Sequence, residues 1–164
     1  MRRLIAWLVT LTLVPASVAA QVEAHPVRWS SRGARASIRA GDTARVALHA
    51  TIAEFFHVYS TTQPPGGPIR TTVSMDPGGP LSLVGRVRAP SPDVIPDANF
   101  GMMSEVYSDS LTFGLTLRSS PAAVAGRSRA AVLVRYQACT TKYCLPPRVD
   151  TVGFAILVAA RTVR

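Results

Sequence analysis

The sequence predicts an all-β protein. Short segments in which apolar and polar residues alternate recur at a spacing of about ten residues, which is typical of strands in a sandwich. Clusters of proline and glycine, such as residues 63–68, separate these segments and cannot hold the hydrogen bonds of a sheet. No segment sustains the 3.6-residue apolar period of a capped helix. These observations favour an antiparallel β-sandwich of immunoglobulin-like topology and leave a small barrel as the alternative.

The individual strands follow from the same alternation, taken in chain order. The first, residues 44–52, alternates between apolar and polar positions over much of its length. A later one, residues 111–117, has a large apolar side chain at every second position. Residues 89–101 carry prolines at positions 90, 92 and 96, so we expect this segment to be irregular. The predicted strands are residues 44–52, 55–60, 69–75, 81–87, 105–107, 111–117, 130–138 and 149–158.

Residues 1–20 have the parts of a secretory signal. Two arginines precede an apolar run at residues 4–14, which is too short to span a bilayer. Pro15 ends this run, and small residues before Gln21 suit cleavage. We therefore expect a signal peptide at residues 1–20 and a single mature domain at residues 21–164, periplasmic or secreted and not membrane-spanning after cleavage. An uncleaved membrane anchor is the alternative.

The chain is strongly basic, with a formal net charge of +9. Such a charge is compatible with an acidic partner, an anionic lipid surface or nucleic acid. The basic residues are nearly all arginines scattered singly along the mature sequence, and Lys142 is the only lysine. Few aromatic side chains are available to stack on single-stranded bases. The pattern therefore argues against nucleic acid as a partner.

The two cysteines, Cys139 and Cys144, lie close together between the last two predicted strands. An exported protein meets oxidising conditions, so the pair is either a structural staple or a redox couple. A ring of about six residues stabilises by roughly 2 kcal/mol, against nearly 5 for a ring of about a hundred residues. A disulfide in so small a ring would thus add little stability to the fold, whereas its position suits attack by another thiolate. A simple local disulfide remains an open alternative.

Metal chemistry is not expected at the cysteine pair. Two cysteines lack the further ligands of a closed zinc site, and their spacing is not that of a thioredoxin Cys-x-x-Cys motif. Copper handling by Met75, Met102, Met103 and the histidines is an alternative because thioethers suit Cu(I). These residues form no spaced motif, and methionine is ordinarily a core residue. We expect no metal and no cofactor.

Three segments in the right order resemble one known family, the N-terminal periplasmic domain of the DsbD-type thiol:disulfide interchange protein. The resemblance covers nearly the whole mature chain, from about residue 27 to the end. Residues 57–68 (HVYSTTQPPGGP) resemble the family's strand with a Pro/Gly turn. Residues 97–107 (DANFGMMSEVY) resemble its cap loop with the next strand, and residues 136–147 (YQACTTKYCLPP) resemble its active site.

The resemblance implies an immunoglobulin-like domain that takes electrons from a membrane-embedded partner and passes them to periplasmic thioredoxin-like oxidoreductases. Cys139 and Cys144 would be the cycling pair, with Cys139 the more protected and Cys144 the cysteine that is attacked. Phe100 would be the aromatic cap that covers the disulfide and moves when a partner docks. The residues expected around the pair are Asn99, Tyr59, His57 and Tyr136.

The sequence also departs from the family pattern. The gap between the cysteines is short, and Asn99 stands where a further aromatic residue is expected. The segment that follows, Met102 and Met103, is one residue longer than expected. The chain carries neither a membrane domain nor a thioredoxin-like domain, so the electron donor is expected on a separate chain. The competing hypothesis is a non-catalytic β-sandwich that binds a partner protein and contains a structural disulfide. A role in cytochrome c biogenesis or in disulfide isomerisation stays open.

Overall fold

The computed structural model describes residues 25–32 and 35–160, which form twelve strands and no helix. The predicted signal peptide lies outside these residues. Among the described residues, therefore, no helix is long and apolar enough to cross a membrane. The strands are β1 (Val27–Arg32), β2 (Arg35–Arg39), β3 (Thr43–Ile52), β4 (His57–Tyr59), β5 (Thr72–Met75), β6 (Leu81–Leu83), β7 (Asp93–Asp97), β8 (Met102–Ser108), β9 (Ser110–Ser119), β10 (Gly126–Tyr136), β11 (Ala138–Cys139) and β12 (Arg148–Ala159).

The strands form three four-stranded sheets. The first has the order β1-β3-β9-β6, the second β2-β12-β10-β5 and the third β11-β4-β8-β7. All pairings are antiparallel except that of β2 with β12, which is parallel. The sheets stay open at their edges rather than closing into a barrel. The predicted all-β antiparallel sandwich is confirmed.

The main core lies between the first and second sheets. Along β3 and β9 in the first sheet, and along β10 and β12 in the second, buried side chains alternate with more exposed ones. This period of two is what places one face of each strand against the facing sheet. Phe113 at the centre of β9 is fully buried, with its ring stacked on Trp29 and set edge-on to Tyr107. Burial of these alternating apolar positions is the main stabilising contribution to the fold.

The third sheet continues the first sheet past a bend. β3 and β9 pair up to Thr51 and Ser110, and beyond the bend β4 pairs with β8 from His57 and Ser108 onward. Asp109 forms the bend on one strand with a φ of 59°, a left-handed conformation that aspartate tolerates better than most residues. Beyond the bend, the third sheet carries Cys139 on β11.

The predicted strand at residues 55–60 is shorter in the structure, where β4 covers only His57–Tyr59. Phe55 has a φ of 67° and an 80% exposed side chain, so it belongs to the turn that precedes β4. The strands predicted at 69–75 and 81–87 are likewise reduced to β5 and β6. In each case turn geometry, which the alternation does not encode, sets where the ladder begins or ends.

Three strands were not predicted. β1 and β2 are rich in arginine and serine, and their side chains do not show a long apolar alternation. The expectation that residues 89–101 are irregular is wrong, because β7 lies within this range and pairs with β8. β7 is an edge strand, and an edge position tolerates Pro96, which has no N–H to donate to a ladder.

Candidate functional site

The chain reaches the cysteines by crossing from one sheet to another. β10 ends in the second sheet at Tyr136, and after Gln137 the chain enters the third sheet as β11. There Cys139 pairs with His57 of β4. The Gln137 side chain holds this crossing, since its Oε1 accepts the Ile69 N–H at 3.1 Å and its Nε2 donates to the Leu145 carbonyl at 3.4 Å. The crossing therefore fixes Cys139 against a strand of the third sheet.

Cys139 and Cys144 form a disulfide that closes a small loop, with Cα atoms 4.0 Å apart. The Leu145 N–H donates to the Ala138 carbonyl at 2.9 Å, so the chain folds back on itself as the spacing requires. The ring of Tyr143 in the loop lies edge-on to Phe56 at 6.2 Å. The loop is thus packed against the turn that leads into β4.

The two cysteines differ in their exposure. Cys139 is fully buried in a small apolar cluster with Tyr59 and Val106, while Ile95 and Cys144 are partly buried at its margin. This cluster is separate from the main core. An external thiolate can reach the disulfide from the Cys144 side, whereas Cys139 is shielded by the third sheet. Apolar cover of this kind makes a buried cysteine less reactive than one at the margin of a cluster.

A tight loop at residues 97–101 joins β7 to β8 beside the disulfide; we refer to it as the cap loop. The Asp97 carbonyl accepts the N–H groups of Phe100 at 3.3 Å and Gly101 at 2.8 Å. Asp97 Oδ1 also accepts the Asn99 N–H at 3.0 Å, which is an Asx turn. Gly101 has a φ of 64°, a value that glycine adopts without steric cost. Asp97 therefore determines the shape of the cap loop.

The cap loop makes two contacts with the site. The ring of Phe100 lies edge-on to Tyr59 at a centroid distance of 6.0 Å and is 37% exposed. The Asn99 Nδ2 donates to the carbonyl of Thr140, inside the cysteine loop, at 2.8 Å. The structure thus brings both predicted cap residues to the disulfide region, Phe100 through an aromatic contact and Asn99 through a hydrogen bond.

A polar group lies under the cap loop. The buried Tyr59 hydroxyl donates to Asp97 Oδ2 at 2.8 Å, and His57 Nε2 lies 3.4 Å from the same hydroxyl. Burial, with the neighbouring Asp97 carboxylate, raises the pKa of Tyr59, so this phenol stays protonated. Burial lowers the pKa of His57, and the Asp97 charge opposes this only in part. The imidazole next to Cys139 is therefore held in its neutral form near pH 7.

Tyr136 lies at the other side of the crossing, in the main core rather than in the disulfide cluster. Its ring packs against Trp29, and its hydroxyl donates to Asp150 Oδ2 at 2.7 Å. Burial raises the pKa of Tyr136. Tyr136 also lines an apolar groove of about 340 Å³ together with Leu145 and Pro146. Its proposed role beside the cysteine pair stays a prediction.

Four residues of the site were not assigned a role from the sequence. They are Asp97, which shapes the cap loop, Thr140, which accepts the Asn99 hydrogen bond, and the apolar pair Ile95 and Val106. The aspartate position directly before a short loop was a usable signal, since Asx turns start there. Nothing in the sequence distinguishes Ile95 and Val106 from ordinary core residues.

The residues considered for metal binding lie apart in the fold. Met75 belongs to the second sheet, whereas Met102 and Met103 belong to the third. Within residues 25–32 and 35–160, no three side chains of His, Cys, Asp or Glu come together as a potential metal site. The site described above consists of the disulfide, its apolar cluster and the cap loop.

His57→Gln is expected to remove part of the pH dependence of stability. The pKa of His57 is lower in the folded protein than in the unfolded chain, so the unfolded chain binds its proton first as pH falls. The wild-type free energy of unfolding should therefore decrease below about pH 6.5, until the folded-state pKa is passed. Urea unfolding between about pH 5 and 8 measures this slope. The control is His49→Gln, because His49 only bonds Thr112 near the surface. An unchanged slope in His57→Gln would contradict the assignment.

A solved structure of another protein shares the fold of this chain. The N-terminal periplasmic domain of ScsB from Proteus mirabilis has the same fold, with a TM-score of 0.53 and 13% sequence identity over 78% of this chain. This chain corresponds to 44% of that ScsB chain, less than half of its length. A type I cohesin of Pseudobacteroides cellulosolvens aligns over 84% of this chain and 94% of its own at 10% identity, with a TM-score of 0.41.

A search of curated protein sequences finds no match. The family described as the N-terminal region of the thiol:disulfide interchange protein DsbD matches residues 26–156, a range that includes both cysteines and the cap loop. Because this match spans most of the chain and its cysteine pair forms a disulfide, the protein belongs to the DsbD N-terminal family of thiol:disulfide exchange domains.

Proposed function

We propose that this protein is an exported thiol:disulfide relay, which passes reducing equivalents through the Cys139/Cys144 pair to thioredoxin-like partner proteins. The observation that carries the proposal is the asymmetry of the disulfide, with Cys139 fully buried and Cys144 at the margin of its cluster. A staple has no need of one accessible sulfur, whereas a relay needs one sulfur to meet the partner and one to resolve the intermediate.

The exchange is a pair of thiolate displacements. In the reduced protein the Cys144 thiolate attacks one sulfur of the partner's disulfide, forming a mixed disulfide and releasing the partner's other sulfur as a thiolate. The Cys139 thiolate then attacks the Cys144 sulfur, which forms the Cys139–Cys144 disulfide and releases the partner's second thiolate. The partner gains two electrons and this protein loses two. A dithiol donor protein restores the reduced pair by the reverse displacements.

The surrounding residues would shield and orient the pair. Phe100 and Tyr59 form an aromatic layer next to the disulfide cluster, which would exclude stray oxidants until a partner displaces the cap loop. The neutral His57 adds no positive charge beside Cys139. His57 therefore does not stabilise a Cys139 thiolate, and the buried Cys139 is suited to the resolving role rather than to the first attack.

The cellular setting is part of the proposal. The predicted signal peptide at residues 1–20 would send the mature domain, residues 21–164, to the periplasm or outside the cell. The relative from Proteus mirabilis is itself named as a periplasmic domain. An oxidising compartment of this kind is where a disulfide relay operates. The donor would be a membrane-embedded protein on a separate chain.

Electron transfer in solution tests the proposal. The protein is reduced, freed of reductant and mixed with an oxidised thioredoxin-like periplasmic oxidoreductase, and thiols on both proteins are followed by acid trapping and alkylation. The proposal predicts stoichiometric oxidation of this protein as the partner is reduced. The control is the double variant Cys139→Ser/Cys144→Ser, which should bind the partner without reducing it. If the wild type transfers no electrons but binds as tightly as the double variant, the protein is a binding module with a structural disulfide.

A further inference from the structure

Thr140 holds the cysteine loop in shape independently of the disulfide. It is the first residue inside the ring, and its side chain is buried. Its Oγ1 accepts the N–H groups of Lys142 at 3.1 Å and Tyr143 at 3.2 Å, and its own N–H donates to the Tyr143 carbonyl at 2.8 Å. A threonine that bonds the backbone two and three residues ahead stabilises a turn. The position of the Thr140 carbonyl is therefore fixed.

That carbonyl is the acceptor for the cap loop. The Asn99 Nδ2 donates to it at 2.8 Å, while the Asn99 N–H is bound to Asp97 Oδ1 at 3.0 Å. Donor and acceptor are thus both held in place, each by a turn of its own. Phe100, the other cap residue, contacts Tyr59 rather than the cysteine loop. The Asn99 amide is what fastens the cap loop to the ring that the disulfide closes.

We propose that the hydrogen bond from Asn99 to Thr140 is a latch that keeps the cap loop closed over the disulfide and limits the rate of attack on Cys144. Asn99 is thereby a positioning residue, because it acts through the cap loop and not on the sulfur atoms. The inference rests on the proposed function only where it takes the donor protein's thiolate as the group that attacks Cys144. The latch itself regulates access for any thiol.

The latch is weak enough to open. One neutral hydrogen bond at a partly exposed position corresponds to a change of about two- to tenfold in an equilibrium. A docking partner that contacts the cap loop can therefore release it without unfolding the sheet. Because Asn99 bonds the Thr140 carbonyl and not a sulfur atom, removing the latch should speed reduction and oxidation alike and leave the reduction potential nearly unchanged.

The test is the rate of reduction by dithiothreitol. One thiolate of this reagent attacks Cys144 and releases the Cys139 thiolate; its second thiolate then releases Cys144 and closes a cyclic disulfide. Asn99→Ala should be reduced about two- to tenfold faster than wild type. Asn99→Leu keeps the volume and branching of the side chain without the N–H donor or a charge, so it should be accelerated as well.

The control is Asp76→Ala, which also removes one hydrogen bond between a side chain and the backbone, that of Asp76 with the Gly78 N–H, in a turn after β5 of the second sheet. An unchanged rate in Asn99→Ala would overturn the latch, and so would equal acceleration in Asp76→Ala. Acceleration in Asn99→Ala without acceleration in Asn99→Leu would also overturn it, since bulk rather than the hydrogen bond would then be the shield. A reduction potential that shifts as much as the rate would contradict a role in access.

The latch and the proposed function can be refuted independently of each other. If the wild-type protein reduces a thioredoxin-like partner but Asn99→Ala reacts with dithiothreitol no faster, the latch is wrong and the relay stands. If Asn99→Ala and Asn99→Leu are both accelerated while no variant exchanges disulfides with the partner, the latch stands and the relay is wrong.

Discussion

Cys139→Ala is expected to accumulate a mixed disulfide with an oxidised thioredoxin-like partner, whereas Cys144→Ala is expected to form almost none. Cys144 lies at the margin of its apolar cluster and can meet the partner's disulfide, while Cys139 is fully buried. Without the Cys139 thiolate the intermediate has no internal group to resolve it. Without Cys144 the remaining thiol is covered by the third sheet and cannot make the first attack.

Non-reducing electrophoresis after alkylation measures the amount of mixed disulfide that each variant forms. Because one variant should form it and the other almost none, this is the largest functional effect that we expect. Both variants must first be shown to be folded by circular dichroism and unfolding in urea. The double variant Cys139→Ser/Cys144→Ser serves as the blank for non-specific adducts. Equal trapping by the two single variants would refute the assignment of Cys144 as the attacking cysteine, and trapping by Cys144→Ala alone would reverse it.

Phe113→Ala is expected to lower the free energy of unfolding by about 3–5 kcal/mol, the range for a large buried aromatic residue. Phe113 is fully buried, with ring centroids 5.8 Å from Trp29 and 5.9 Å from Tyr107. Its removal leaves a cavity where the two sheets of the main core meet. Part of the loss is transfer free energy and part is the unrelaxed cavity.

Equilibrium unfolding in urea gives the value, with Leu157→Ala as the matched control. Leu157 is on β12 but is 48% exposed, so its truncation should change stability by only about 0.5 kcal/mol. A cost for Phe113→Ala no greater than that of Leu157→Ala would contradict the position of the main core. The folded fraction of Phe113→Ala should still exchange thiols, because the disulfide cluster is a separate group of residues.

The two cores meet on a single strand. On β8, Tyr107 belongs to the main core and its neighbour Val106 belongs to the disulfide cluster. Successive side chains of a strand point to opposite faces, so β8 can supply both. The sheet that carries the disulfide is therefore anchored in the sandwich through residues such as Tyr107, while Val106 packs in the disulfide cluster. The two clusters are distinct groups of side chains that meet on β8.

The parts of the fold that the sequence predicts are those with long alternation. β3, β9 and β12 bury one face along ten or more residues, and each was expected from its period of two. β1 and β2 lack that signal, because they are short and rich in polar residues. β7 was missed because Pro96 within it, and Pro90 and Pro92 before it, argue against a strand, yet an edge position needs no donor from Pro96. Pairing with a neighbouring strand, rather than local propensity, determines that these segments form strands.

The site was predictable only in part. The spacing of Cys139 and Cys144, in a chain with a predicted signal peptide, indicates a small disulfide-closed ring, and the resemblance to a family supplied the cap residues. The roles of Asp97 and Thr140 arise from contacts across the chain. Asp97 meets Tyr59 at a separation of 38 residues, and Thr140 meets Asn99 at a separation of 41. Such pairs depend on sheet register, which no local pattern encodes.

The reduction potential of the Cys139–Cys144 pair tests the central claim most directly. The folded protein is equilibrated in glutathione buffers of known ratio, quenched with acid and alkylated, and the fraction of free thiols is counted by mass spectrometry. A relay requires a potential near those of thioredoxin-like oxidoreductases, between about −120 and −270 mV. A potential below about −300 mV would mark a structural disulfide and contradict the relay.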